Sequence, residues 1–323
     1  MHELRKDYLL DEWVIIATGR FKRPKDIPRV KKKESLTKCP FCPGNEHLTP
    51  PEILRVPQEK KWRIRVFPNK FRAVSCNGKI SRKSGPFFNS KTAYGRHEII
   101  VETPEHGVQL CDLSTERIAE LFSVYVQRLE ALKKVPSVEE VSLFKNWGKK
   151  SGASLEHSHT QILALNKLSE KKKKELRAFS ALKKKDKKCP YCSVLSSERK
   201  SKRFIFENSS AAAIAPFASK EPFEVLILPK RHVKKLSELS EQESYDMAFV
   251  LKRCLLLLKK KNASYNFFLQ ESCCGKDFHF YFRILPRITT RGGFEEQTEC
   301  IINPVLPAEA AREYRAEFKG RVA

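Results

Sequence analysis

Five consecutive residues, His157-Ser158-His159-Thr160-Gln161, carry the most reactive pattern in the chain. On a strand, residues two apart face the same side, so His157, His159 and Gln161 project together. One imidazole can ligate a metal while its neighbour meets a substrate. A neutral imidazole is a good nucleophile toward phosphorus, and a covalent phospho-histidine splits one hard displacement into two easier ones. The preceding segment, Ser151-Gly152-Ala153-Ser154, can bring backbone N–H groups and a hydroxyl close to a phosphate.

Ten cysteines in 323 residues are too sparse for a disulfide scaffold. Four of them form two knuckles, Cys39-Pro40-Phe41-Cys42 and Cys189-Pro190-Tyr191-Cys192. Two thiolates two residues apart grip one tetrahedral ion from a single tight turn, and zinc is the usual occupant. A thioredoxin-like redox pair is the competing reading; it needs one motif, at a helix start after a strand. Here both motifs follow lysines, and the first runs into Pro43-Gly44-Asn45, a loop, which favours metal. Cysteines 76, 111, 254, 273, 274 and 300 read as plain thiols.

The elements that must position these groups repeat along the chain. Shifting the sequence by 126 residues lays His106 on His232. Glu98-Ile99-Ile100-Val101-Glu102-Thr103-Pro104-Glu105-His106 then lies over Glu224-Val225-Leu226-Ile227-Leu228-Pro229-Lys230-Arg231-His232, each an apolar strand ending in a Pro-containing turn. Ser114 and Ser240 follow as helix N-caps, the second with Glu243 as a capping box. Helical spacing runs over about 115–133 and 241–261. An Asn-bearing strand comes next in each half, with Asn146 and Asn266. A His-bearing strand closes each, from His157 and from His279. Each half therefore reads CPxC, His, His: Cys39, Cys42, His106, His157 and Cys189, Cys192, His232, His279. A structural zinc takes four such ligands; iron is the alternative in one site. In the second half Tyr281 stands where His159 does, and Arg283 where Gln161 does, so only the first half can host the nucleophile.

The expected fold is α+β: a tandem of two similar halves, 1–175 and 176–323, related by a pseudo-two-fold. Each is a mainly antiparallel sheet of about five strands with a long helix packed on one face. The bridge, about 166–188, is Lys-rich with a helix at its start. The net charge of +25 favours anionic partners, but runs such as Lys171–Lys174 and Lys183–Lys185 read as solvated faces or loops. With 41% apolar residues, no apolar run approaching a membrane span and no signal-like N-terminus, the composition points to a soluble cytoplasmic protein.

Asn146-x-Gly148, Gly152-Ala153-Ser154 and His157-x-His159-x-Gln161 together resemble the galactose-1-phosphate uridylyltransferase family, a branch of the histidine-triad superfamily. The likeness covers essentially the whole chain. It implies a two-step ping-pong exchange between a nucleoside diphosphate sugar and a sugar 1-phosphate. His159 is then the nucleophile, Gln161 and Ser154 hold the phosphoryl oxygens, and His157 is a metal ligand. Hydrolytic histidine-triad proteins carry a third His where this chain has Gln161, which favours transfer over hydrolysis. The resemblance also implies nucleotide contacts from Arg20 and Arg23, base and ribose contacts near Asn69 and Lys70, and phosphate-loop roles for Asn146, Gly152 and Ala153. Phe294 and Glu295 resemble the sugar-contacting residues, and a homodimer is implied.

The first functional reading is UDP-glucose:hexose-1-phosphate uridylyltransferase, in galactose metabolism. The family that the chain resembles often has Asn-Asp where this chain has Asn69-Lys70, and Ile301 stands where well-known members have a hexose-reading Gln. Plant-type ADP-glucose:phosphate adenylyltransferases share the second knuckle, Gly292-Gly293-Phe294-Glu295 and Ile302-Asn303-Pro304. An adenylyl-transferring enzyme using ADP-glucose or a dinucleoside polyphosphate is thus the alternative. A histidine-triad hydrolase and a zinc-organised nucleic-acid-binding protein complete the set; the latter leaves the His-x-His-x-Gln strand without a reason.

Overall fold

The computed structural model describes residues 2–18, 39–58, 61–273 and 275–319. Its first half contains β1 (His2–Lys6), β2 (Trp13–Ala17), β3 (Leu54–Val56), β4 (Ile64–Pro68), β5 (Arg82–Lys83), β6 (Ser90–Lys91) and β7 (Gly95–Val101). Helix α1 (Thr115–Lys133), β8 (Glu140–Trp147) and β9 (His159–Leu165) complete it. Helices α2 (Glu170–Asp186) and α3 (Pro190–Glu198) lead into β10 (Phe204–Glu207), β11 (Ala211–Ile214) and β12 (Val225–Pro229). Then come α4 (Glu241–Lys260), β13 (Tyr265–Gln270), β14 (Tyr281–Pro286), α5 (Gly293–Thr298), β15 (Ile301–Asn303) and α6 (Pro307–Lys319).

Ten strands form one continuous antiparallel sheet in the order β10-β11-β12-β14-β13-β8-β9-β7-β4-β3. Five come from each half, and the two orders match element for element. The halves join at β8 and β13, where Asn146 is the register partner of Asn266. A smaller sheet, β1-β2-β15, carries the chain's N-terminal strands, and β15 pairs parallel to β2.

The long helices form where the sequence stops and starts them. The Ser114 hydroxyl accepts from the Arg117 N–H at the head of α1. Ser240 and Glu243 close a reciprocal capping box at α4, each cap contributing about 1 kcal/mol. Ile118, Phe122 and Tyr125 of α1 and Met247, Leu251 and Leu255 of α4 bury a shared stripe against one face of the sheet. That face carries Ile100, Ile162, Phe267 and Phe282, and α6 covers its far end through Tyr314. The core runs unbroken across both halves. Each large apolar side chain fully buried there contributes about 1.5–3 kcal/mol.

The opposite face is covered in two separate places. Cys39, Phe41, Trp62 and Phe67 gather over β7 and β4 in the first half. Leu176, Phe179, Tyr191 and Leu195 of α2 and α3 gather over β11, β12 and Tyr281 in the second. The Lys-rich bridge is therefore helical over Glu170–Asp186, rather than only at its start. Its lysines are not all solvated. Lys172 is buried, donates to the Glu271 carbonyl and lies over the Phe278 ring. The aliphatic stem packs while the ammonium finds an acceptor.

The 126-residue shift relates His106 to His232 but fails on the strands before them. Gln161 pairs with Ile99, and Arg283 pairs with Leu226, so the strand offset is about 127. The second half has one residue fewer between strand and His. In a strand that single residue exchanges the two faces, so Glu98 matches Val225 and His97 matches Glu224.

Candidate functional site

The two Cys/His sets each converge. In both, the four ligand atoms lie within 4.8 Å of one another. His157 Nδ1 is 3.7 Å from Cys39 Sγ and 3.5 Å from Cys42 Sγ, and His106 Nδ1 is 3.4 Å from Cys42 Sγ. In the second set His279 Nδ1 is 3.4 Å from the sulfurs of Cys189 and Cys192. Metal–sulfur bonds of about 2.3 Å and metal–nitrogen bonds of about 2.0 Å at tetrahedral angles put S and N roughly 3.5 Å apart. The rings are also turned correctly. His157 Nε2 lies 2.7 Å from the Thr103 carbonyl, and His279 Nε2 lies 3.1 Å from that of Pro229. A carbonyl only accepts, so Nε2 carries the proton and the Nδ1 lone pair faces the thiols.

His232 supplies the sharpest observation. Its Nε2 donates to Asp277 Oδ1 at 2.9 Å, and Asp277 is itself paired with Lys183. Its Nδ1 is buried and has no hydrogen-bond partner among the described residues. An orphaned buried acceptor is rare, and a bound ion is what this one fits. The second knuckle also opens a helix: Cys189 is the N-cap of α3 and Pro190 its first residue. A helix start is half of what a redox pair uses, but the knuckle follows α2 rather than a strand, and the convergence of two imidazoles with both sulfurs favours metal. Cys192→Ser is expected to lower the metal content from two ions per chain to one and to destabilise α3; elemental analysis of purified protein checks it, and two retained ions would remove the second site.

His157 and Ser158 precede β9, which begins at His159. His159 is 5% exposed, and its Nδ1 lies 2.8 Å from the His157 carbonyl. The carbonyl again fixes the tautomer: Nδ1 is protonated and Nε2 bears the lone pair. Burial, then the charge of Lys145, pushes the His159 pKa down to about 4, so the ring is neutral at pH 7. Phe41 sets its ring edge-on to both His159 and His157, at 5.3 and 6.1 Å between centroids.

Beneath the strand lies a polar group the sequence reading did not single out. Ser158 and Thr160 point to the helix side, as alternation requires. There Lys145 Nζ donates to Glu102 Oε2 at 2.6 Å, to Ser158 Oγ at 2.9 Å and to the His159 carbonyl at 3.0 Å. Ser158 Oγ donates to Glu102 Oε2 at 2.6 Å, Thr160 donates to Oε1, and Tyr125 OH is 2.7 Å from Thr160 Oγ1. Lys145 and Glu102 are both fully buried. Glu102 directly follows the apolar run of β7 and Lys145 lies one residue before Asn146; a polar residue at an inward position was the signal available.

Gln161 shares the face of His159 and lies 2.9 Å, through Oε1, from His97 Nε2. The preceding loop turns at two glycines. Gly148 has φ +78°, and a Cβ there would sit 2.4 Å from Ser264 Oγ. Gly152 has φ +85° with open space where a Cβ would be, which leaves room for a ligand. Ala153 and Ser154 follow on this accessible loop. Asn146 Oδ1 accepts from Asn266 Nδ2 at 2.7 Å, and among the described residues its own amide N–H groups have no partner. Asn69 lies beside His97, and Lys70 is exposed.

Other predicted contacts are not brought together. Arg20 and Arg23 lie outside the described residues. Phe294 and Glu295 stand on α5 in the second half, where Glu295 Oε2 accepts from the Gly292 N–H. Among the described residues no hydrogen bond or ion pair joins them to the His159 strand. Tyr281 occupies the place matching His159 but is buried under α2, its OH donating to Glu175 Oε1 at 2.5 Å. No described helix is long and apolar enough to cross a membrane.

Comparison with known proteins bears on this arrangement. The profile of the family described as galactose-1-phosphate uridyl transferase, N-terminal domain, matches residues 1–169, and a domain of unknown function matches 100–319. An ADP-glucose phosphorylase from Arabidopsis thaliana is 32% identical over 97% of this chain and 92% of its own length. A galactose-1-phosphate uridylyltransferase from Thermotoga maritima is 31% identical over 98% of both chains. The crystal structure of an Arabidopsis thaliana ADP-glucose phosphorylase with bound ADP-glucose superposes with a TM-score of 0.85, at 29% identity over the whole of both chains.

Proposed function

The chain belongs to the galactose-1-phosphate uridylyltransferase family and is a nucleotidyltransferase, and from that premise we propose that it works through a nucleotidyl-His159 intermediate. One observation carries the reading: a buried, neutral imidazole whose tautomer is fixed with Nε2 bare, beside a glycine-turned loop and the Gln161 amide. His159 Nε2 attacks the α-phosphorus of a nucleoside diphosphate sugar. The N–P bond forms as the P–O bond to the sugar phosphate breaks, and sugar 1-phosphate leaves with the electron pair. An acceptor phosphate oxygen then attacks the same phosphorus and returns His159 to its resting form. Positive charge on the nucleotidylated ring is met by the His157 carbonyl through Nδ1–H. Gln161 and the 152–154 loop hold the non-bridging oxygens.

The metal in each Cys2His2 set is read as zinc, which supplies a crosslink between the knuckle and the His-bearing segments. In the first set His157, two residues from the nucleophile, is thereby anchored. Phe294 and Glu295 stand on α5 with no bond to the His159 strand among the described residues, and we read them as meeting a substrate at the His159 of a second copy, in a homodimer.

For the donor, the first reading is UDP-glucose with a hexose 1-phosphate as acceptor. A second reading, ADP-glucose with inorganic phosphate, is favoured by the likeness to ADP-glucose phosphorylase. Intact mass after brief incubation with each donor, without acceptor, separates them. A uridylyl adduct discharged by galactose 1-phosphate is expected from the first. An adenylyl adduct discharged by phosphate establishes the second. Absence of any adduct in zinc-replete protein removes the covalent route.

A further inference from the structure

We propose that His97 is a positioning residue that sets which end of the Gln161 side-chain amide faces His159, and that it ties this amide to the Asn69 segment. The role rests on the nucleotidyl-transfer reading above; the contact it depends on stands without it.

His97 and Gln161 lie on the same face of adjacent strands. Val101 pairs with His159 and Ile99 with Gln161, so His97 is the next residue of β7 on that face. The ring is flanked on both sides. The Ala73 N–H donates to Nδ1 at 3.4 Å, which requires Nδ1 to be unprotonated and places the ring proton on Nε2. Nε2 lies 2.9 Å from Gln161 Oε1, and a donor there selects the amide oxygen over the amide nitrogen. The Gln161 N–H groups are then left for the reaction side. The opposite amide orientation would set an oxygen against the phosphoryl oxygens and remove a donor from them. Burial holds the His97 pKa below its ordinary value, which keeps the ring neutral and the Nδ1 acceptor intact.

His97 is also tied to the segment placed against base and ribose. The Asn69 N–H donates to the His97 carbonyl at 2.7 Å; the Asn69 side-chain nitrogen, 3.3 Å from His97 Nε2, is a second donor and makes no hydrogen bond to a protonated Nε2, so the backbone bond is the tie. Displacement of that segment therefore moves the group that orients Gln161. The second half repeats the arrangement with other residues. Glu224 stands two residues before Leu226, the register partner of Arg283, and its Oε1 accepts from Arg283 Nε at 2.7 Å. In both halves this position pins the side chain two residues beyond the one matching His159.

The test uses the full-length, zinc-loaded enzyme, with UDP-glucose and ADP-glucose as probes. His97→Leu is expected to slow single-turnover formation of the nucleotidyl-enzyme by about 10- to 100-fold while donor KM changes by less than about threefold and metal content stays constant. His97→Gln, which can still place an N–H toward Gln161, should recover most of that rate. In the double variant with Gln161→Ala, the His97→Leu effect should vanish, because the two act as a unit. Multiplying effects, or a change confined to KM, overturn the proposal. Wild-type enzyme that forms no adduct overturns the transfer reading and the role together. Nitrogen NMR of selectively labelled histidine reads the contact directly: a His97 ring protonated on Nε2 is expected, and one protonated only on Nδ1 overturns the assignment whatever the activity.

Discussion

Replacing His159 by Ala is expected to lower nucleotidyl exchange by about four orders of magnitude or more, the scale found when a covalent nucleophile is removed. The argument does not rest on its being a histidine in a cleft. The ring's Nδ1 proton is committed to the His157 carbonyl at 2.8 Å, so the lone pair has one place to be. Burial keeps the ring unprotonated at working pH. No other imidazole substitutes. His157 presents its Nδ1 to Cys39 and Cys42, and His97 presents its Nε2 to Gln161. The second half offers Tyr281 at the matching place, hydrogen-bonded to Glu175 beneath α2. The His159→Ala variant should keep both metal ions and a near-native melting temperature, since the ring's loss leaves the Lys145 contact to its backbone carbonyl in place. Measuring turnover and covalent adduct together decides the matter: an adduct that persists, or turnover within about tenfold of wild type, eliminates His159 as the nucleophile.

Lys145→Met and Glu102→Gln should each destabilise the protein severely, by about 3–5 kcal/mol, because each leaves its partner buried and uncompensated. Neither side chain has any exposure, so water cannot replace the lost partner. The pair also holds the strand that carries the nucleophile, through Ser158, Thr160 and the His159 carbonyl. A drop in melting temperature of roughly 4–7 °C is expected from either change. The double variant Glu102→Leu with Lys145→Met should regain much of the loss, since a buried pair replaced by apolar groups is often close to neutral. The pair has an acid limit. Burial alone would raise the Glu102 pKa, but Lys145, Ser158 and Thr160 together hold it below its ordinary value. Its contribution is complete above the ordinary glutamate pKa of about 4.3 and is lost as pH falls further, through the depressed folded value. Stability scans from neutral to acid pH should show a steep acid limb in wild type that is shallower in Glu102→Gln. Single variants that melt within about 1 °C of wild type would mean the pair holds nothing.

Much of this was legible in the residues because the signals were local or periodic. Ser114 and Ser240 cap α1 and α4 where their spacing predicts, and the strands bearing Asn146 and Asn266 lie at the expected places. The ligand sets converge because cysteine and histidine carry few alternative uses in such spacing. What stayed hidden depends on facts that appear only when strands pair. Alternation identifies Ser158 and Thr160 as facing away from His159 but not what they meet, and Glu102 comes from the end of β7 and Lys145 from β8. His97 acts through a neighbour on β9, and Asp277 through His232. The strand offset between the halves slipped by one because a residue missing from a turn leaves the hydrophobic run looking the same. The bridge reads as helical only at its start because lysine-rich composition hides an amphipathic stripe of Leu176 and Phe179.

The seam between β8 and β13 has a consequence for any attempt to cut the protein in two. The main sheet ends only at β10 and β3, and severing the chain between the halves and separating them would bare the backbone donors and acceptors of β8 and β13. It would also strip α1 of the stripe it shares with α4. An isolated amino-terminal fragment would thus present an unpaired strand edge beside an uncovered apolar surface, the combination that drives self-association. Complementation is the natural remedy: two fragments broken between α2 and α3 and expressed together would each supply the edge the other lacks.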